Sequence, residues 1–422
     1  MTKKKCNRIS LWFMVYGSKL WVWFIFCTQT MNVYAQEYNF IKYDKNTVKQ
    51  LKGNELSYFF QSLKELEANV NRKVNIVHIG DSHIQADHLS GKLRSLFQND
   101  ERFANGGRGF IFPYTVAQSN NPYNYQVTYT GYWEGQKSVN RNTVSKWGLS
   151  AISAKTTNIQ STIMIDPNIS GGSYKISKIK IFYPVFDETS YNVSLEIDPK
   201  ELLSTYLSRS GYVEYQFRNP QSSIKITLNK NNLLQNHFLL QGISLENEDA
   251  GVLYHAIGLN GAVVPTYFRC EDFEKHLSVL NPDLVIISLG ANDTHVGNFN
   301  EEEYKNNLRF LIYEIRKAAP KTSILITTPP DNYLWRRRVN LNNEKARQQI
   351  LELAEETNIA IWDCFEVMGG LKSVDKWVQS NLATRDKIHF TPKGYELQGE
   401  LLFNAINDSY KTFVNNPQVS KE

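Results

Sequence analysis

From residue 251 onward, apolar runs of strand length alternate with stretches of helical period, and this rhythm constrains the fold more than any other feature of the chain. Runs at 252–257, 284–289, 324–328 and 359–362 read as strands, and 301–319, 342–356 and 392–407 as helices. Such alternation implies parallel strands joined by right-handed crossovers, with helices covering the sheet. An earlier run, 74–79, is mostly β-branched and apolar, as a strand buried on both faces should be. It follows an amphipathic helix predicted over 54–68, where Leu56, Phe59, Phe60, Leu63 and Leu66 recur at three- and four-residue steps. A second helix is predicted to open at Ser82 and to run through Leu89, Leu93, Leu96 and Phe97.

Between about 113 and 250 the helical period disappears. Short alternating runs at 174–182, 191–197, 212–217, 224–228 and 237–243, separated by Gly, Asn, Asp and Ser clusters, predict an antiparallel β-sandwich. This stretch falls between the first and second strands of the α/β sheet, so it is an insertion and not a tail. The expected organisation is a leader over 1–35, an α/β domain in two parts over 36–112 and 251–422, and an inserted β-domain over 113–250.

Lys3, Lys4, Lys5, Arg8 and Lys19 give the leader a basic head; an apolar stretch at 20–27 and the small-residue pattern Val33-Tyr34-Ala35 follow. That is the pattern of an export signal cut after Ala35, and its apolar part is too short to span a bilayer. An uncleaved anchor is the competing reading, because 11–15 adds a second apolar patch. Removing the leader takes away five basic residues and no acidic one, which brings the formal net charge from +5 to zero. No electrostatic case for nucleic acid or an anionic membrane survives in the exported chain, and no stable membrane insertion is expected once the leader is gone. The expected location is extracytoplasmic, periplasmic or secreted. A composition of 41% hydrophobic and 21% charged residues excludes a disordered chain.

Cys6 and Cys27 leave with the leader, so Cys270 and Cys364 remain. In the strand order such sheets usually show they lie four strand spacings apart, at about 4.8 Å each, whereas bridged Cα atoms lie within roughly 7 Å. Two free, buried thiols are expected.

Three short motifs carry chemistry. Gly80-Asp81-Ser82-His83 and Gly290-Ala291-Asn292-Asp293 stand at the C-terminal ends of apolar strands, where open α/β sheets place their ligand sites, and Asp386-Lys387-Ile388-His389 lies near the C-terminus. At a strand-to-helix step Ser82 sits beside unpaired amide donors. Thr391 is a good N-cap and Pro392 a good first helical residue, so His389 falls in the loop just before a helix start. A serine hydroxyl needs a base to become nucleophilic, and histidine suits that task near neutral pH. Asp386 can reach back to the other imidazole nitrogen and fix its tautomer.

Ser82, Gly261 in Gly258-Leu259-Asn260-Gly261-Ala262, Asn292, and His389 with Asp386 resemble the four sequence blocks of the SGNH (GDSL-type) hydrolases. The resemblance implies a flavodoxin-like α/β fold here interrupted by a β-sandwich of carbohydrate-binding-module type, and a carboxylic ester hydrolase needing neither cofactor nor metal. It implies a catalytic triad of Ser82, His389 and Asp386, and an oxyanion hole made of the Ser82 and Gly261 amides and the Asn292 side chain. Gly258 is a nearby alternative to Gly261. The continuation His83-Ile84-Gln85-Ala86-Asp87 and the glycine turn Asn105-Gly106-Gly107-Arg108-Gly109-Phe110 look like the bacterial peptidoglycan O-acetylesterases, which implies an O-acetylated glycan polymer as partner and substrate.

Other readings compete. Ser82 could merely cap its helix and Asn292 merely shape a turn. Asp81, His83, Asp87, His88 and His295 resemble a metal cluster, but the His-x-His element of binuclear metallophosphoesterases is missing; for Asp87 and His88 an exposed helical face is the preferred reading. Acetylxylan or another polysaccharide could replace peptidoglycan, and acyl transfer could replace hydrolysis. In a binding protein Tyr123, Tyr125, Tyr129, Tyr132, Trp133 and Trp147 would form a sugar platform, although packing residues are the plainer reading. Trp335-Arg336-Arg337-Arg338 could meet an acidic group or be an ordinary solvated helix start.

Overall fold

The computed structural model describes residues 38–169 and 174–416. The expected leader, with Cys6, Cys27 and the cleavage site after Ala35, lies outside the described residues. A sheet of six strands forms the centre, in the order Val48–Lys49, Ala360–Trp362, Ser323–Thr327, Leu284–Ser288, Lys73–Gly80, Gly251–Gly258. Val48–Lys49 runs antiparallel at one edge and the other five are parallel. In chain order those five stand 2-1-3-4-5, counted from Lys73–Gly80 as first, which is the flavodoxin-like arrangement. The order reverses at Lys73–Gly80, and Ser82 follows directly.

Alternation along the strands sorts their side chains into two cores. Val74 and Ile76 pack with Phe59, Phe60, Leu93, Phe97 and Ile406, while Val77 and Ile79 share a core with Ile312, Ile315, Ile350 and Leu353. Helices Ser57–Glu67, Leu89–Gln98 and Pro392–Asn415 therefore cover one face, and Glu301–Ala318 and Asn342–Thr357 the other. Register brings Gly80 level with Gly258 and Ser288, so three strands end together beneath the candidate site. Cys270 and Cys364 are both buried and free.

The intervening region folds into antiparallel sheets of five, four and three strands, and its Phe182, Ile243 and Leu245 belong to the same core as Val77 and Ile79. Two expectations change here. The Asn105 to Phe110 stretch is not a turn: Gly107–Ile111 is a strand paired with Gly242–Glu246, so the antiparallel sheet begins ahead of residue 113. Its glycines permit close approach, since a Cβ on Gly109, whose φ is +82°, would lie 2.2 Å from the Tyr254 carbonyl oxygen. Nor does one helix run on from Ser82. A single turn, Ser82–Gln85, stops at Asp87, whose φ is +51°, and the chain restarts as Leu89–Gln98.

Candidate active site

Ser82 is the first residue of its helical turn, and the preceding Asp81 caps it by accepting from the His83 amide at 3.0 Å. Glycines make this step possible. A Cβ on Gly80 would lie 2.3 Å from Ile84 Cγ1, and one on Gly258 would lie 2.2 Å from the Gln85 amide nitrogen. Gly258 thus serves close packing under the serine turn. Gly261, by contrast, adopts φ +77° with nothing within 4 Å of an added Cβ, and it faces the cleft.

His389 Nε2 lies 3.2 Å from Ser82 Oγ, and His389 Nδ1 lies 2.7 Å from Asp386 Oδ2. With Nδ1–H donating to the carboxylate, Nε2 is left as the acceptor for the serine proton. The other oxygen of Asp386 accepts from the Ile388 amide at 2.9 Å, the His389 amide at 3.0 Å and the Thr384 hydroxyl. Burial pushes the Asp386 carboxyl up, but His389, Thr384 and the two amides outweigh it and hold the group well below the usual carboxylate range. Thr391 caps Pro392–Asn415 through the Gly394 amide at 3.2 Å, which fixes the end of this loop. The His389 side chain is 43% exposed, so a substrate can reach the ring.

Asn292 also reaches the cleft, but its side-chain nitrogen lies 3.2 Å from Asp81 Oδ2 and 3.0 Å from the Ala262 carbonyl. Burial pushes the Asp81 carboxyl up, against the pull of His83. Ser82, Gly261, Asn292 and His389 therefore line one cleft of about 680 Å³, while Asp386 stands behind His389.

The remaining walls were less legible. Gln85 lines the cleft and ties three segments together: its oxygen accepts from the Asn260 amide at 2.8 Å, and its nitrogen donates to Ser119 Oγ and the Asn120 carbonyl at 2.9 Å each. Its position three residues after Ser82 on one helical turn was the available signal. Tyr123 stacks on His88 with ring centroids 4.4 Å apart, and His88 lies parallel to Tyr395 at 6.2 Å. Of the six aromatic residues weighed as a platform, Tyr125, Trp133 and Trp147 are buried core, whereas Tyr123, Tyr129 and Tyr132 are exposed. Only Tyr123 among them lines the cleft. Among the described residues, no Lys, Arg, Asp or Glu lines it.

The metal reading finds no geometry: among the described residues no three His, Cys, Asp or Glu side chains are grouped to hold an ion. His83 bonds the Tyr395 hydroxyl at 2.8 Å, and His295 accepts from the Trp335 amide at 3.2 Å. Asp87 does not lie on an exposed face. It is buried, with its carboxylate 2.6 Å from Arg108 and 2.9 Å from Arg94, and Asn124 donates to it at 2.8 Å. Burial pushes this carboxyl up, and the two guanidinium groups overcome that and hold it well below the usual range. A buried charge persists only with such partners. The cluster fastens the break after the serine turn to the strand Gly107–Ile111 and to the loop carrying Tyr123.

Residues 234–397 match the GDSL-like Lipase/Acylhydrolase family. The sequence is 24% identical over 261 residues to a multidomain esterase of Ruminococcus flavefaciens, a match that covers 60% of this chain and spans 31% of that protein. In three dimensions the chain is similar to a peptidoglycan O-acetylesterase, at a TM-score of 0.73 and 20% identity, covering 86% of this chain and 99% of the other. The fold is thus that of an SGNH-type α/β protein with added antiparallel sheets.

Proposed function

Because the chain carries a domain of the GDSL-like lipase/acylhydrolase family, we propose that it is an exported serine esterase that removes O-acetyl groups from a cell-wall glycan, peptidoglycan first. The observation that carries this reading is the array Ser82, His389, Asp386 at the edge of a cleft whose lining is amide, hydroxyl and aromatic and, among the described residues, bears no carboxylate, lysine or arginine. A sugar ring offers hydroxyls to the side-chain amides of Asn120 and Asn260 and an apolar face to Tyr123.

In the first half-reaction Ser82 Oγ attacks the acetyl carbonyl while His389 Nε2 takes its proton. Negative charge develops on the carbonyl oxygen, where the Ser82 and Gly261 amides and the Asn292 side chain donate to it. Collapse breaks the bond to the sugar oxygen, which leaves with the proton returned by His389, and acetyl-Ser82 remains. Water then gives its proton to His389 and attacks the acetyl-enzyme; acetate departs and Ser82 regains its proton. Asp386 keeps the imidazole in the required tautomer and stabilises the imidazolium formed in each half.

The test joins two measurements. A fluorophosphonate probe should label the protein at Ser82, and Ser82→Ala and His389→Ala should abolish both labelling and acetate release from O-acetylated murein while circular dichroism stays unchanged. Undiminished labelling in Ser82→Ala would remove the nucleophile. Faster release from acetylated xylan than from murein would overturn the cell-wall substrate and leave the serine esterase.

A further inference from the structure

Beside the two loops that bring Asn292 and His389 to the cleft stands a short hairpin. Tyr333–Leu334 pairs with Arg338–Val339, and Trp335, Arg336 and Arg337 form its tip. The expectation of a plain helix start fails here, since Asn342–Thr357 begins only after the hairpin. Hydrogen bonds fasten it at both ends. The Tyr333 amide donates to the Lys387 carbonyl at 3.0 Å, inside the Asp386 to His389 loop, and the Trp335 amide donates to His295 Nε2 at 3.2 Å, three residues after Asn292. At its far end Asn340 Nδ2 donates to Asn332 Oδ1 at 2.8 Å. The hairpin is therefore placed by the same two loops that supply the acid-base pair and the candidate oxyanion donor.

Its tip is built in an unfavourable conformation. Trp335 and Arg336 are consecutive and both left-handed, at φ +47° and +64°, although neither is glycine. Such strain persists where surrounding structure imposes it, and it concentrates at ligand clamps and active sites. What the tip displays is one-sided: Trp335 is 52% exposed, Arg336, Arg337 and Arg338 are exposed, and none of the three arginines makes an ion pair among the described residues. The nearby acid is already engaged, because Asp375 pairs with Lys387 at 2.7 Å and accepts from the Tyr333 hydroxyl at 2.5 Å. Arg338 lies over the Trp335 ring at 5.8 Å, which restricts the pair.

Resting on the esterase reading above, we propose that this hairpin is a binding site for carboxylates attached to the glycan, so that the neutral cleft takes the acetylated sugar while Arg336, Arg337 and Arg338 take an acidic appendage that extends past the loops carrying Asn292 and His389. Guanidinium groups suit carboxylates through paired N–H donors, and exposed arginines at a site's rim act chiefly on encounter and on salt dependence. The carboxylates can come from a peptide branch or from a uronic acid on the polymer. Both sources present the same chemistry to the tip.

The experiment compares acetate release from O-acetylated murein with its peptides intact and after an amidase has removed them, at low and high salt. The wild-type protein should prefer the peptide-bearing polymer by about tenfold in kcat/KM at low salt, and the preference should shrink as salt screens the arginines. In the triple variant Arg336→Ser, Arg337→Ser, Arg338→Ser the preference should vanish. Arg337→Glu alone should reverse it, which keeps the test alive if the triple variant folds poorly. A parallel pair, acetylated glucuronoxylan and neutral acetylated xylan, assigns the source of the carboxylate. Equal wild-type rates within both pairs, or a preference that survives in the variants, would overturn the hairpin site. Sedimentation of Ser82→Ala with the two mureins reads the same preference without turnover. A protein that releases no acetate from any polymer yet still sediments preferentially with peptide-bearing murein would sink the esterase reading and leave the hairpin standing.

Discussion

The side-chain nitrogen of Asn292 lies 3.2 Å from Asp81 Oδ2, and its second hydrogen is directed to the Ala262 carbonyl at 3.0 Å, so both hydrogens of the candidate oxyanion donor are held by the protein itself. Asp81 therefore orients a residue two hundred positions away while capping the serine turn. To serve the reaction, Asn292 must exchange one of these bonds for the developing oxyanion, and a donor bond to an ionised oxygen is about twice as strong as a neutral one. Asn292→Ala should lower kcat on an aryl acetate about a hundredfold or more, with KM less affected. Asp81→Ala should lower kcat less but also cost about 1 kcal/mol of stability through the lost cap, read in denaturant melts. A wild-type kcat in Asn292→Ala would reduce that residue to a turn former.

Tyr123 reaches the cleft from the loop ahead of the four-stranded sheet, stacked on His88. If its ring carries a sugar face, Tyr123→Ala should raise KM for O-acetylated murein by about threefold to tenfold, the scale of one aromatic contact. Loss on an aryl acetate, which has no second sugar to hold, should be smaller. Equal losses on both substrates would assign Tyr123 to holding His88 and not to the glycan.

Asp87 with Arg94 and Arg108 is a buried ionic cluster with the opposite profile. Removing Asp87 strands both buried guanidinium groups, and leaving a buried charge uncompensated typically costs about 3 to 5 kcal/mol. Asp87→Ala should therefore lower the melting temperature steeply, and more than Arg94→Met and Asp87→Leu combined in one chain, because the double change leaves one buried guanidinium, Arg108, without its carboxylate where Asp87→Ala leaves two. A melting curve for Asp87→Ala within a degree or so of wild type would mean that the cluster is hydrated and contributes little.

Periodicity was a good guide where one face of an element is apolar and a poor one elsewhere. The five parallel strands and the helix after Thr391 were legible because burial on both faces leaves apolar runs and because Pro392 and Thr391 mark a start. Gln126–Thr130, Glu134–Lys137 and Leu202–Ser208 were not: all three are largely exposed or polar, and the last two show no two-residue alternation. Gly107–Ile111 looked like a turn because its glycines, which allow the backbone to lie against Tyr254, are also turn residues. The site divides in the same way. Ser82, His389 and Asp386 could be read from residue type and strand ends, whereas His88 enters the cleft beyond the break at Asp87, which no local pattern announces.

Asp293, next to Asn292, supplies a test of the site's electrostatics by pH. Its carboxyl is buried; one oxygen accepts from the Val264 amide at 3.0 Å and the other has no hydrogen-bond partner among the described residues. Burial, reinforced by the neighbouring Asp81 and only partly offset by that amide, pushes its pKa from 3.8 up to about 7. The folded value exceeds the unfolded one, so below the unfolded pKa both states carry the proton and no stability difference arises. Between the two values the folded state keeps a proton that the unfolded chain releases, and stability falls as pH rises through that window. Above the folded value the full penalty stands, on the order of a few kcal/mol. An asparagine side chain at this position would imitate the protonated acid, accepting from Val264 through its oxygen and carrying no charge. Asp293→Asn should then leave the melting temperature near wild type at about pH 4 and raise it progressively toward about pH 8. A difference between variant and wild type that stays constant over this range would show that the carboxyl ionises at its ordinary value, and with it that the floor beneath Asn292 is wetter than its burial indicates.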